Sequence, residues 1–271
     1  MWICPACQSP LTLIASQWRC ARNHSYDRAR EGYVNLLLAN QKSSADPGDN
    51  KQMINARRQF LEQGHFAPLA LKLAEIIRQQ SQTDALSLYD AGCGEGYYLQ
   101  QIAEFLRERG SSVTAAGSDV SRSAIQKAAK KYAANNFAVA SSFSLPLASS
   151  SQNVLLQIFA PASNEEVHRV LYQGGLWLQV TPGALHLFEL KQALYPSPEQ
   201  HSSNASVPSG FTLVQNQSLK FKIVLPVMQS REQLLMMTPY YWTAVQDALP
   251  AVLESMGELT ADFTIRVLQK N

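Results

Sequence analysis

LSLYDAGCGEGYY, residues 86–98, runs from an apolar stretch through an acid into three glycines spaced two apart, Gly92, Gly94 and Gly96. Leu86, Leu88 and Tyr89 suit a buried strand, and the glycines permit a tight strand-to-helix turn whose bare backbone a ligand can approach closely. A nucleotide-like guest suits such a turn. The dinucleotide fingerprint requires G-x-G-x-x-G after the strand. Here Tyr97 stands where its third glycine belongs and Gly96 comes one residue early, which disfavours NAD.

Outward from this turn, VTAAGSD at 113–119 reads as a second strand ending in Asp119. An acid at that strand end can accept both ribose hydroxyls, or simply cap the helix after it. D-x-G-x-G-x-G with Asp119 resembles the S-adenosylmethionine loop of class I methyltransferases. The spacing predicts helix 95–109, strand 113–118, helix 122–133, strand 137–140, strand 153–159, helix 164–171 and strand 175–181, an alternation that implies a parallel sheet. From 196 to 210 the chain is rich in Pro, Ser and Asn and reads as a loop. A last strand pair follows in FTLVQNQSLKFKIVL and DFTIRVL.

Upstream, Asp49 with Gln52 resembles a capping box. It would open an amphipathic helix through Met53, Ala56, Phe60 and Leu61 that stops at Gly64, with Arg57 and Arg58 on its exposed face. Pro68 starts another helix, with Leu69, Leu73, Ile76 and Ile77 at helical spacing. QKSSADPGDNKQ, broken by Pro47-Gly48, reads as a hinge. The expected division is a module at 1–45 and a second domain at 46–271 that includes a helical linker, 49–80.

Three of the four cysteines fall in the first twenty residues, Cys4-x2-Cys7-x12-Cys20, and His24 follows. The two knuckles make a three-sulfur, one-nitrogen set that suits tetrahedral zinc. A disulfide would need an oxidising compartment and leave one of the three unpaired. The apolar material between the knuckles is too little to fold unaided, so a closed structural zinc is expected to stabilise it. Arg19, Arg22, Arg28 and Arg30 surround the second knuckle with Trp18 and Tyr26, a mix that can grip phosphates and stack on bases, or form an ordinary solvated rim.

The chain has 271 residues, 46% hydrophobic, with a net charge of +2. Residues 1–80 hold ten Lys/Arg against six Asp/Glu, so the positive charge sits at the N-terminal end. No apolar run approaches the roughly 20 residues of a membrane span, and Met1-Trp2-Ile3-Cys4 lacks a basic start before an apolar core. A cytoplasmic protein with no membrane partner is expected.

The Cys/His set, EGYVNLL, DPGD, A-R-R-x-F-L-x-x-G-H at 56–65 and D-x-GCGEGYY, in that order, resemble the RlmA family of 23S rRNA (guanine-N1)-methyltransferases, closer to its Gram-negative type. The likeness continues through ASSFSLP, FAP, GG, TPG-x-x-H-x-x-EL and Met-Thr-Pro at 237–239. It implies a Rossmann-like class I fold with a mostly parallel seven-stranded sheet behind a zinc-binding RNA-recognition module. It also implies S-adenosylmethionine and Zn2+ as cofactors, 23S rRNA as partner, and a homodimer as one assembly. Other readings are a class I enzyme acting on another RNA or a small molecule, and a zinc-dependent RNA-binding protein with a vestigial cofactor site.

The cofactor set expected is Phe66, Asp90, Gly92, Gly94, Glu95, Asp119, Ser141 and His186, and the metal set Cys4, Cys7, Cys20 and His24. Asp90, Gly92, Gly94 and Glu95 should flank the methionine part, with backbone groups near its amine and carboxylate; Glu95 also reads as a first-turn helix acid. Ser141 is an adenine contact or a loop serine, and His186 a cofactor neighbour or a core histidine. Phe159 could stack on an extruded target base, or pack at its strand end. Ser163 and Glu166 form a capping box rather than a catalytic pair. Phe66 stands where the family has a tyrosine, and Gln157 where it has a basic residue.

Overall fold

The computed structural model describes residues 2–41, 50–201, 206–243 and 246–271. Asp49, the Pro47-Gly48 hinge and part of the 196–210 loop lie outside them. The chain opens with β1 (Thr12–Ile14), β2 (Gln17–Arg19) and β3 (Ser25–Asp27), an antiparallel sheet pairing Leu13 with Trp18 and Trp18 with Tyr26. Next comes β4 (Val34–Asn35), which sequence reasoning missed.

Helices α1 (Lys51–Glu62) and α2 (Ala67–Gln80) follow. Asn50 caps α1, its side chain accepting from Met53 N at 2.9 Å. Ile54, Ala56, Phe60 and Leu61 form its buried face. Then come β5 (Ala85–Ala91), α3 (Tyr97–Glu108), β6 (Ser112–Asp119), α4 (Arg122–Lys131), β7 (Asn136–Val139), β8 (Gln152–Ile158), α5 (Asn164–Val170) and β9 (Leu171–Pro182). The chain closes with α6 (Phe188–Leu194), β10 (Phe211–Val224), α7 (Met228–Met236), α8 (Pro239–Thr243), α9 (Leu249–Ser255) and β11 (Glu258–Lys270). Among the described residues no helix is long and apolar enough to cross a membrane.

The main sheet has eight strands, ordered β10-β11-β9-β8-β5-β6-β7-β4, one more than the seven expected. The extra strand is β4, which pairs parallel to β7 with Val34 opposite Ala138 and Asn35 opposite Val139. A two-residue strand has no periodicity to reveal it; sheet pairing alone creates it. β11 runs antiparallel to both neighbours, and the other pairs are parallel.

Both faces of β5 are buried, as parallel sheets require. Leu86 and Leu88 face the core under α2 and α3; Tyr89 and Ala91 face a second core with Trp177, Leu155 and Val167. Trp2 seals that second core. Its ring meets Tyr89 edge-on at 6.5 Å, and Ile3 N donates to Pro146 O at 3.0 Å. The cysteine module is therefore part of the sheet's packing.

Candidate active site and metal centre

Cys4, Cys7, Cys20 and His24 place one ligand atom each within 4.8 Å of the others. Tetrahedral zinc with bonds of about 2.3 Å to sulfur and about 2.0 Å to nitrogen would separate sulfurs by about 3.8 Å, and sulfur from nitrogen by about 3.5 Å. The chain holds Cys7 Sγ 3.7 Å from Cys20 Sγ, and His24 Nδ1 3.4 and 3.5 Å from Cys4 and Cys20 Sγ. All three cysteines are free of disulfides, and the donor set fits zinc with no ligand position left open. The Tyr26 hydroxyl lies 3.3 Å from Cys4 Sγ, placed to donate to a metal-bound thiolate. Arg22 and Arg30 line the same module, while Arg19 reaches Gln17 and Arg28 reaches Gly32 O.

The strand order reverses between β5 and β8, and ligands of open α/β sheets sit beyond the strand ends there. A crevice of about 710 Å³ occupies this position. Gly92, Gly94, Glu95, Asp119, Ser141, Phe159, His186 and Phe66 all line it. Asp90 lies beneath the loop, 2% exposed.

Three backbone contacts pin the glycine loop. Gly92 N and Cys93 N both donate to Ser118 O, at 2.8 and 2.9 Å, and Gly94 N donates to Asp119 Oδ2 at 3.0 Å. These amides brace the loop against β6. Gly94, at φ 55°, has nothing within 4 Å of where a Cβ would stand. Bare backbone therefore faces open crevice, as a bound S-adenosylmethionine needs. Gly96 serves packing instead. A Cβ there would meet Ala128 and Phe137 at 3.1 Å, so its bare backbone lets α3 approach its neighbours.

Asp119 also accepts from Ser121 N at 2.8 Å, and Ser121 rather than Asp119 caps α4. The Asp119 carboxylate also lines the crevice. Glu95 precedes the helix and is 4% exposed while lining the crevice, so it is not a first-turn acid. Ser141 Oγ accepts from Phe143 N at 3.2 Å and shapes the rim.

Burial, followed by the charges of Asp119 and Glu95, pushes the Asp90 carboxyl up to about 8, and its Oδ1 has no partner. An orphaned carboxylate oxygen under this loop fits a cationic guest. Below the unfolded value of 3.8 the buried group costs nothing in charge, and the penalty grows as pH rises from there towards about 8. Asp90→Asn is therefore expected to flatten the pH dependence of the cofactor-free melting temperature, raise that temperature at pH 8 and weaken cofactor affinity. Thermal melts from pH 5 to 9 with binding titrations check this; an unchanged pH slope would exclude Asp90 as its source.

His186 is half-buried with Nδ1 accepting from Asp262 N at 3.3 Å, so Nε2 carries the hydrogen. Burial, then the nearby His201, lowers it to about 4; at neutral pH it is a donor without charge. Phe66, fully buried, stacks edge-on against Phe60 and Phe263, at 5.3 and 5.2 Å. Its apolar contacts explain how this position manages without a tyrosine hydroxyl.

Phe159 is 44% exposed with φ 55°, a left-handed conformation that costs a bulky residue about 1 kcal/mol or more. Gln157 holds that turn: its Nε2 donates to Ala160 O at 2.6 Å while its Oε1 accepts from Trp177 Nε1 at 3.1 Å. At Ser163 the hydroxyl accepts from Glu166 N, as a cap should. Glu166 instead turns to Leu145 N and Arg169, leaving the box half-made.

Other residues of the crevice escaped sequence reasoning. Arg57 lines it rather than riding an exposed helix face, and so do Tyr98, His201 and Tyr240. Only the polar stripe of α1 could have pointed to Arg57. Nothing local marks the others.

Compared with known proteins, residues 2–45 match the family described as RlmA, N-terminal, and residues 82–208 the one described as methyltransferase domain. YxjB of Bacillus subtilis (strain 168), named a candidate 23S rRNA (guanine-N(1)-)-methyltransferase, is 31% identical over 100% of this chain and 97% of its own. The 23S rRNA (guanine(748)-N(1))-methyltransferase of Streptomyces fradiae is 36% identical over 70% of this chain and 66% of its own. A Micromonospora griseorubida protein, named a candidate 23S rRNA (guanine-N(1)-)-methyltransferase, is 34% identical over 70% and 68%.

Proposed function

Because the chain belongs to the RlmA family of 23S rRNA (guanine-N1)-methyltransferases, we propose that it methylates N1 of a guanine in an unpaired loop of 23S rRNA. One observation supports this most directly: a single crevice joins the bare glycine loop and its carboxylates to Phe159, an aromatic held strained and exposed at the end of β8. When bound, S-adenosylmethionine supplies an electrophilic methyl group. The residues of the chain do the rest.

On this reading Asp119 accepts the ribose hydroxyls, Ser141 borders the adenine, and Glu95 with the deeper Asp90 meets the cationic methionine end. Phe66 closes the apolar wall, and neutral His186 presents Nε2–H without repelling a sulfonium. As the methyl carbon passes from sulfur to N1, the N1 proton leaves to water; the transfer needs the acceptor nitrogen in line with the breaking bond, so positioning accounts for much of the rate. Guanine N1 lies on the pairing edge, so the base must leave its stack. Phe159 offers the replacement stack, and Arg22 and Arg30 on the zinc module grip phosphates.

Stacking on an aromatic contributes about 1–3 kcal/mol per base. Phe159→Ala is therefore expected to lose about 10- to 100-fold in kcat/KM for RNA with cofactor affinity unchanged. Phe159→Gly, which suits φ 55°, should be equally slow yet no less stable than the parent. A parental rate in both variants at limiting RNA would remove the stacking role.

The direct assay is to incubate unmodified 23S rRNA with labelled cofactor and map the product by primer extension, which N1-methylguanine blocks. One strong stop at a loop guanine is expected. Absence of label in RNA would overturn the assignment.

A further inference from the structure

S-adenosylmethionine carries a carboxylate beside its amine and sulfonium, so its methionine end needs one anion receptor among acids. The crevice carboxylates, Glu95 and Asp119, match the cationic and diol parts, and His186 is neutral. Among the described residues lining the crevice, Arg57 is the one Lys or Arg, projecting from α1. Tyr98, on the first turn of α3, lines the same wall, and its hydroxyl is shielded with no hydrogen-bond partner. Helix α1 packs against α3, so Arg57 and Tyr98 reach the crevice from neighbouring helices; burial, then the charges of Tyr97 and Glu95, push that phenol up, while the charge of Arg57 opposes them. A shielded hydroxyl without a partner costs stability unless a ligand satisfies it.

We propose that Arg57 and Tyr98 together receive the methionine carboxylate of the cofactor, the guanidinium as charged donor and the phenol as a second hydrogen bond. The proposal rests on the cofactor reading of the crevice but not on the RNA substrate. A planar guanidinium is suited to a carboxylate, and charge-assisted hydrogen bonds are roughly twice as strong as neutral ones.

The test uses the zinc-loaded full chain, titrated calorimetrically with S-adenosylmethionine and with decarboxylated S-adenosylmethionine, which lacks only the carboxylate. Arg57→Gln is expected to weaken S-adenosylmethionine about 10- to 100-fold. Tyr98→Phe should weaken it a few-fold, and both should bind the decarboxylated analogue as the parent does. Arg57→Lys should recover part of the loss. Equal weakening for both ligands would mean a general collapse of the wall and overturn the proposal. Unchanged affinity for S-adenosylmethionine, with weaker and less salt-dependent RNA binding, would assign Arg57 to a phosphate instead. Failure of the parent to bind S-adenosylmethionine would sink the cofactor reading itself, a separate outcome. Melting temperature and zinc content, measured in parallel, identify a variant that has merely misfolded.

Discussion

Gly92→Ala is expected to abolish cofactor binding and to destabilise the protein by about 2–4 kcal/mol. Gly92 sits at φ 82°, and a Cβ there would stand 2.4 Å from the Ala160 Cβ, well inside contact distance. Neither side can yield cheaply. The Gly92 amide is tied to Ser118 O, and Ala160 O is held by Gln157 in the turn that also carries Phe159. A methyl group at 92 must push the glycine loop off β6 or the Phe159 turn off its register. Either movement spoils the crevice. Gly94→Ala is the informative contrast, because nothing lies within 4 Å of its added methyl. That variant should lose only about 1–2 kcal/mol, the strain an alanine bears at φ 55°, yet place a methyl where the cofactor is proposed to lie. Thermal melts and binding titrations on the pair distinguish a crushed loop from an occupied pocket. A Gly92→Ala protein that binds S-adenosylmethionine as the parent does would show that this close approach is not required.

Removing zinc is the second large perturbation. Structural zinc in small fingers contributes on the order of 10 kcal/mol of folding free energy. In this chain the loss should not stay local. Trp2, 2% exposed, leads into the Cys4 knuckle and seals the core around Tyr89, and β4 completes the edge beside β7. Truncating a buried tryptophan alone costs about 3–5 kcal/mol. Cys7→Ser, or chelation of the wild-type chain, is therefore expected to lower the melting temperature of the whole molecule, not merely melt a separate step. Trp2 fluorescence should shift to the red, and RNA binding should be lost more completely than cofactor binding. If the chelated protein kept its melting curve and near-ultraviolet dichroism, the zinc module would be an appendage, contrary to the packing.

Much of this molecule is written locally. The spacing of Cys4, Cys7, Cys20 and His24 specifies a ligand set because bond lengths leave few alternatives. The triplet Gly92, Gly94 and Gly96 specifies a strand-to-helix turn because all three adopt positive φ, which other residues rarely adopt. The alternation of strands and helices from residue 85 to residue 182, with the acid at Asp119, specifies a parallel sheet and its cofactor edge. These features depend on neighbours within a few residues, and periodicity and side-chain chemistry report on such neighbours directly.

Tertiary packing decided the rest. Val34–Asn35 is a strand only because β7 lies open beside it, and Trp2 is a core residue only because Tyr89 faces it. Helical periodicity separates the buried face of α1 from its polar face, but cannot say that the polar side at Arg57 borders a crevice rather than bulk water. Nor could it show that the loop amides are committed to Ser118 and Asp119, or that Gln157 and Trp177 hold Phe159 in its strained pose. Each of these facts joins groups far apart along the chain. Which distant groups meet is settled by how the layers bury their apolar faces, and no local pattern encodes that choice.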